Sequence, residues 1–256
     1  MKFCITGATG FIGRELVERL SAGNNKVAIL TRKNTLSFPE NVEILIGDLI
    51  QSDCPLDLFL QDCDILFHCA GETTNSKAMR AVNVDGTKSL ISAALDECSQ
   101  TNRKIHWVQL SSCRVYGPPI GKIQSDRTVT EETHTRPNDE YEITKTISDN
   151  ILIDACKNNK ALTYSILRPS NVVGPKMKKS TLHRFFGLMN SGLSFYVGKP
   201  GAIATYVHVY DVVNALILLS KDQRAVSQIY NLSNDCTMEA FIGEIAKKYE
   251  FSEIGL

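Results

Sequence analysis

The sequence predicts an α/β fold, a doubly wound parallel sheet followed by a small carboxyl-terminal substrate lobe, and three observations predict it. The chain opens MKFCITGATGFIG, which spaces Gly7, Gly10 and Gly13 three apart directly after a short apolar run. Short, nearly continuous apolar runs then alternate with segments of helical periodicity, as in a parallel sheet covered on both faces. From about Asn171 that rhythm loosens, and a basic stretch KMKKSTLHRF follows.

The elements follow in order. Lys2 to Thr6 reads as a buried strand, and the segment from Ile12 to Gly23 carries Leu16, Val17 and Leu20 at helical spacing. The glycines therefore sit in a strand-to-helix turn. There glycine reaches backbone angles closed to other residues, and its missing Cβ lets a phosphate approach the amides at the helix N-terminus. Taken alone, a glycine triplet reads equally as a tight turn relieved of strain.

KVAIL (from Lys26), VEILI (from Val42) and DILFHC (from Asp64) read as the second to fourth strands. Val82 to Cys98 reads as a long helix, IHWVQL (from Ile105) as the fifth strand, Glu140 to Asn158 as a helix and TYSIL (from Thr163) as the sixth strand. A helix to Met189, two short strands around GKPGA, the strand end and helix of VHVYDVVNALILLS, the strand IYNLS and a capped helix from Thr237 to about Tyr249 complete the reading. Residues 1–170 are expected to form the dinucleotide domain, its sheet completed by parts of 204–232, and residues 171–256 mainly the lobe. Residues 113–139 form the longest irregular stretch, and long ordered loops tend to carry function.

Composition excludes several classes. The 256 residues hold 28 basic and 28 acidic side chains, so no global field favours nucleic acid or an anionic membrane. No stretch reaches the roughly 20 apolar residues of a bilayer span, and the first residues read as a core strand, so a cytoplasmic protein is expected. The eight cysteines include no CxxC pair and read as reduced, mostly buried small hydrophobes; no metal site is expected.

The candidate site residues lie at strand ends, where open α/β sheets bind ligands. Thr31-Arg32-Lys33 ends the second strand with cations where an NAD-preferring turn usually places an acid for the ribose hydroxyls. Arg32 can fork onto a 2′-phosphate and Lys33 can add a charge, which points to NADP; a solvated basic turn is the other reading. Asp48 can accept from an adenine amino group or cap the next segment. Cys69-Ala70-Gly71 after the fourth strand is small enough to let ribose and pyrophosphate lie against the backbone. Ser111 and Ser112 follow the fifth strand. Tyr141 and Lys145 in YEITK, four apart, share one helix face. A free phenol with a pKa near 10 is a poor catalyst at neutral pH, and a neighbouring ammonium brings it into range.

The order TGATGFIG, GDL, HCAG, NVDGT, SSCRVYG, YEITK, RPSNVVGP and VHVYD resembles the extended short-chain dehydrogenase/reductases, the NAD(P)-dependent epimerase/dehydratase group, over nearly the whole chain. The resemblance implies a Rossmann sheet that binds the dinucleotide through Gly7, Thr9, Gly10, Phe11, Ile12, Gly13, Asp48 and Leu49. It makes Tyr141 the acid/base, Lys145 its pKa partner and nicotinamide-ribose ligand, and Ser112 the hydroxyl that positions the reacting oxygen, with Ser111 as the alternative. Asn83 then resembles the asparagine that braces the active-site helix, and Asn171 the one that contacts the substrate phosphates. Lys176, Lys178, Lys179 and Arg184 would form a basic rim for a diphosphate, or a solvated cluster. His68 reads as a packed strand-end residue.

Departures from the group narrow the expectation. Sugar-nucleotide dehydratases place an acidic pair directly after the active-site threonine, and here those positions are Cys113 and Arg114, so dehydration is not expected. Members commonly add carboxyl-terminal helices over the substrate, so a chain ending at Leu256 implies a minimal lid or a truncated sequence. The resulting expectation is an oxidoreductase or epimerase, NADP-preferring with NAD possible, acting on a nucleotide-diphospho sugar as a homodimer. The alternatives are an NADPH-dependent reductase of a non-sugar ketone, whose pocket would be apolar where this chain has KMKK, and a non-catalytic NADP-binding redox sensor.

Overall fold

The apolar runs assemble into a seven-stranded sheet in the computed structural model, which describes residues 1–33, 37–119, 127–177 and 201–249. The strands are β1 (Lys2–Thr6), β2 (Lys26–Thr31), β3 (Val42–Ile46), β4 (Ile65–His68), β5 (Ile105–Leu110), β6 (Leu162–Pro169) and β9 (Gln228–Leu232). Their order is β3-β2-β1-β4-β5-β6-β9, with every neighbouring pair parallel.

Alternation of side chains along each strand divides the core into two layers. Phe3 and Ile5 of β1 point to one face, where Leu16, Val17 and Leu20 of α1 (Phe11–Ser21) meet Val212, Val213 and Leu216 of α6 (Val209–Leu219). Cys4 points to the other face, among residues of α2 (Leu56–Leu60), α4 (Gly86–Thr101) and α5 (Glu140–Asn158), including Phe59, Leu90 and Leu152. Both faces are covered, which is why the strands read as unbroken apolar runs.

A second sheet of order β10-β8-β7 joins β7 (Asn171–Val173), β8 (Ile203–His208) and β10 (Asn234–Thr237). β8 runs parallel to β7 and antiparallel to β10. Helix α7 (Met238–Tyr249) leans on it through Phe241, whose ring stacks on Tyr206 at 4.8 Å between centroids.

Several elements differ from the sequence expectation. The helix expected from Val82 begins earlier, as α3 (Ser76–Met79), with Asn75 accepting from the Lys77 amide, and passes through one π-helical turn at Arg80–Asp85 before α4. β7 and β10, of three and four residues, are too short to carry a two-residue periodicity. The part of 204–232 that completes the large sheet is β9, whereas β8 belongs to the small one. The helix expected up to Met189 and the strand expected before GKPGA lie outside the described residues. Among the described residues no helix is long and apolar enough to cross a membrane, and no cluster of His, Cys, Asp and Glu could hold a metal. All eight thiols are free, with Cys4, Cys63, Cys98 and Cys156 buried.

Candidate active site

The strand order reverses between β1 and β4, and this opens a crevice beyond their carboxyl ends. Gly7, directly after β1, has φ +71°, and a Cβ there would lie 2.5 Å from the backbone of Cys69 and Ala70 after β4. Gly7 thus joins the two loops at the mouth of the crevice. A Cβ on Gly13 would lie 2.2 Å from the Gly7 carbonyl oxygen, so Gly13 lets α1 close onto β1. The turn is completed by the Gly10 amide donating to the Gly7 carbonyl at 2.9 Å.

This turn fits a pyrophosphate. Helix α1 starts at Gly10 with no side-chain cap and no acid in its first turn, so its opening amides and the positive end of its dipole face the crevice uncompensated. Thr9 and Gly10 are exposed there, Phe11 and Ile12 half-buried. Cys69 and Ala70 are half-buried and Gly71 exposed. Arg32 and Lys33 are exposed past the end of β2, where the Thr31 hydroxyl donates to the Lys33 carbonyl at 3.0 Å. Asp48 accepts from the Ile50 amide at 3.3 Å, and Leu49 is buried against the start of α4.

Tyr141 and Lys145 lie one turn apart near the start of α5. That start is fixed by side chains: Asp139 accepts from the Glu142 amide at 2.9 Å, and Glu142 accepts from the Asn138 amide at 2.7 Å. Ser112 begins the short helical turn Cys113–Tyr116 after β5, its Oγ accepting from the Arg114 amide at 3.2 Å. Burial pushes the Tyr141 phenol above its ordinary pKa, while a hydrogen bond with the Ser112 side chain and the charge of Arg114 pull it down. Burial lowers the Lys145 ammonium, which donates to the Leu110 carbonyl at 2.6 Å. The structure therefore gathers Ser112, Tyr141 and Lys145 where the carboxyl end of β5 meets the start of α5. Ser111, the alternative hydroxyl, is buried and donates to Asp149 at 2.8 Å.

Beneath these residues runs a buried polar network. Asn83, within the π-helical turn, donates to the Thr144 hydroxyl of α5 at 3.1 Å and exchanges hydrogen bonds with the Glu72 backbone. His68 lies between the hydroxyls of Thr6, at 2.7 Å, and Thr87, at 3.1 Å. Thr87 meets Ser148, which accepts from Gln109 at 2.9 Å. Burial, then the Lys145 charge, holds His68 down at about 3, so it is neutral.

This has a sign. Below the ordinary value of 6.5 the unfolded chain takes up a proton at His68 that the folded chain refuses, so stability is lost as pH falls. The expected cost is about 1.4 kcal/mol per pH unit, continuing towards the folded value. Urea melts of the wild type and His68→Gln across acidic pH check it: the wild-type curve should fall more steeply, and parallel curves would refute the assignment.

The expected phosphate rim is divided. Asn171, exposed on β7, donates to the Thr205 carbonyl at 3.1 Å. Lys176 reaches α1 instead, pairing with Glu15 at 2.9 Å and Glu18 at 3.2 Å. Lys178, Lys179 and Arg184 lie outside the described residues.

Two features were not read from the sequence. Asp149, fully buried, accepts from both Nε and Nη2 of Arg168, and Arg168 donates to Tyr116 Oη at 2.9 Å. The available signals were an acid four residues past Lys145 on the same helix face and an arginine ending an apolar strand. The second is Arg114, whose guanidinium sits over the Tyr141 ring, 5.3 Å from its centroid.

A sequence model of the NAD dependent epimerase/dehydratase family matches residues 3–233. The UDP-glucose 4-epimerase of Vibrio cholerae is 24% identical over 253 residues, covering 94% of this chain and 74% of that protein. The human sterol-4-alpha-carboxylate 3-dehydrogenase (decarboxylating) is 24% identical over 241 residues, 90% of this chain; the chain spans only 61% of that relative's length. Among solved structures, UDP-glucuronic acid 4-epimerase from Bacillus cereus, in complex with NAD, superposes with a TM-score of 0.79 at 20% identity, covering 98% of this chain and 85% of that one. That likeness is one of fold.

Proposed function

Because the chain belongs to the NAD dependent epimerase/dehydratase family, we propose that it is an oxidoreductase or epimerase acting at a hydroxyl or keto carbon of a nucleotide-diphospho sugar. The observation that carries this reading is the meeting of Tyr141, Ser112 and Lys145 at the carboxyl edge of the sheet, beside an uncapped glycine turn. Bound nicotinamide dinucleotide supplies the hydride acceptor or donor. Tyr141 takes the proton from the substrate hydroxyl, or returns it to the keto oxygen. Ser112, whose Oγ accepts from the Arg114 amide and whose side chain hydrogen-bonds the phenol, stands beside Tyr141, where its hydroxyl would turn to the substrate oxygen. Lys145, held in a buried position by the Leu110 carbonyl, adds a positive charge on the same helix face.

The substrate class draws support from the named relatives and, in the sequence, from Asn171 and the cations Lys178, Lys179 and Arg184 that follow β6; Lys176 serves as a tie to α1. The test is incubation of the purified protein with UDP-glucose, UDP-N-acetylglucosamine and UDP-glucuronic acid, with either dinucleotide and product detection by chromatography. Interconverted sugars support the reading. The sterol dehydrogenase relatives favour a second one, reduction of a non-sugar ketone; turnover of 3-ketosteroids with no reaction of any UDP-sugar would select it.

NADP is the proposed preference, because Arg32 and Lys33 extend exposed cations past β2. A charge-assisted contact contributes about 1.5–3 kcal/mol, so NADPH should bind at least about tenfold more tightly than NADH, and Arg32→Ala should erase most of the difference. Fluorescence titration of both dinucleotides checks this, and equal affinities in the wild type would overturn it.

A further inference from the structure

We propose that Arg114 is a positioning residue for the reaction: it bolts the Ser112 turn to the first turn of α5 and lays a fixed positive charge against the Tyr141 ring. The inference rests on the reading of Tyr141 as the acid/base.

The geometry is that of a latch. Each of two carboxylates divides its oxygens between the start of α5 and Arg114. Asp139 gives Oδ1 to the Glu142 amide and Oδ2 to Arg114 Nη2; Glu142 gives Oε2 to the Asn138 amide and Oε1 to Arg114 Nε and Nη2, at 3.3 and 3.2 Å. The Arg114 amide meanwhile donates to Ser112 Oγ. One residue thus holds both the hydroxyl and the helix that carries the phenol. Arginine suits this because its planar fork engages both acids while its face lies on an aromatic ring.

The charge matters as much as the clamp. The groups acting on the phenol are Ser112 and Arg114 from the turn after β5, Asp139 at the cap of α5 and Asp149 within it. Both acids oppose ionisation of the phenol, and Arg114 favours it. Lys145, one turn away, keeps its charge while its ammonium donates to the Leu110 carbonyl. Phenolate formation at Tyr141 draws also on Arg114, a residue outside the YEITK motif.

The test is an ultraviolet phenolate titration of the NADP⁺-saturated protein, taking the wild type minus Tyr141→Phe to isolate the Tyr141 transition. Arg114→Met, which keeps the apolar stem, should raise the midpoint by about half a pH unit or more, and Arg114→Lys should restore part of the shift. If the methionine variant fails to fold, Arg114→Gln retains hydrogen bonds to the two acids without the charge and should give the same rise. A midpoint within about 0.2 pH unit of the wild type in the folded charge-neutral variant overturns the proposal. Because this readout needs no substrate, it is separable from the functional reading. That reading fails if Tyr141→Phe turns over normally, whatever the titration gives.

Discussion

Replacing Tyr141 by phenylalanine is expected to lower turnover at least about a hundredfold while leaving the fold and dinucleotide binding intact. The substitution removes one oxygen. The ring stays beneath the Arg114 guanidinium, so the contact between the turn after β5 and α5 persists. Asp139 and Glu142 still fix the start of the helix, and Lys145 still donates to Leu110. What is lost is the hydroxyl proposed to exchange a proton with the substrate oxygen beside Ser112. Single-turnover hydride transfer, followed by nicotinamide absorbance, measures the loss directly, and dinucleotide titration confirms that binding is retained. Turnover within about threefold of the wild type would remove Tyr141 from the mechanism and return the assignment to the other groups at the crevice.

The second large effect falls on stability. Arg168→Met should destabilise the protein by about 3–5 kcal/mol near neutral pH, because it strands the Asp149 carboxylate in the core. Asp149 is fully buried, and its Oδ1 lacks a hydrogen-bond partner among the described residues. Burial pushes its carboxyl above the ordinary range, while Arg168, Lys145 and the Ser111 hydroxyl pull it back. Without Arg168 the folded value moves further above the unfolded one. A group raised in this way favours folding at low pH and loses that contribution as pH rises through the folded value. The gap between variant and wild type should accordingly be widest at alkaline pH and narrow on acidification. Denaturant melts across pH measure it. The double variant Arg168→Met, Asp149→Leu should recover most of the lost stability, since it removes both charges together; a double variant as unstable as the single one would mean that the arginine acts through its bond to Tyr116 and not through the ion pair.

These expectations draw on different depths of information. The parallel sheet was legible because both of its faces are covered, which leaves strands such as KVAIL and ILFH mostly apolar. The glycine turn was legible because spacing alone puts Gly7 and Gly10 between a strand and a helix and Gly13 in that helix's first turn, and the Tyr141–Lys145 relation because four residues make one helical turn. The shorter strands and the π-helical turn were not legible. A strand of three residues has no period to detect, and a π turn is set by how Asn83 and its neighbours pack against α5.

By itself, then, the sequence determined what local periodicity can encode: which segments are strands, which are helices, where the chain turns, and which side chains share a helix face. Only the tertiary structure decided which distant groups meet. Arg114 finds Tyr141 and the start of α5, Arg168 finds Asp149, Lys176 crosses to Glu15 and Glu18, and β9 in place of β8 completes the large sheet. The physical reason is the parallel architecture. Successive parallel strands are joined by crossovers that carry the chain over a face of the sheet, so the order of strands, and hence the company each strand end keeps, follows from packing the whole core and leaves no trace in any short window of residues.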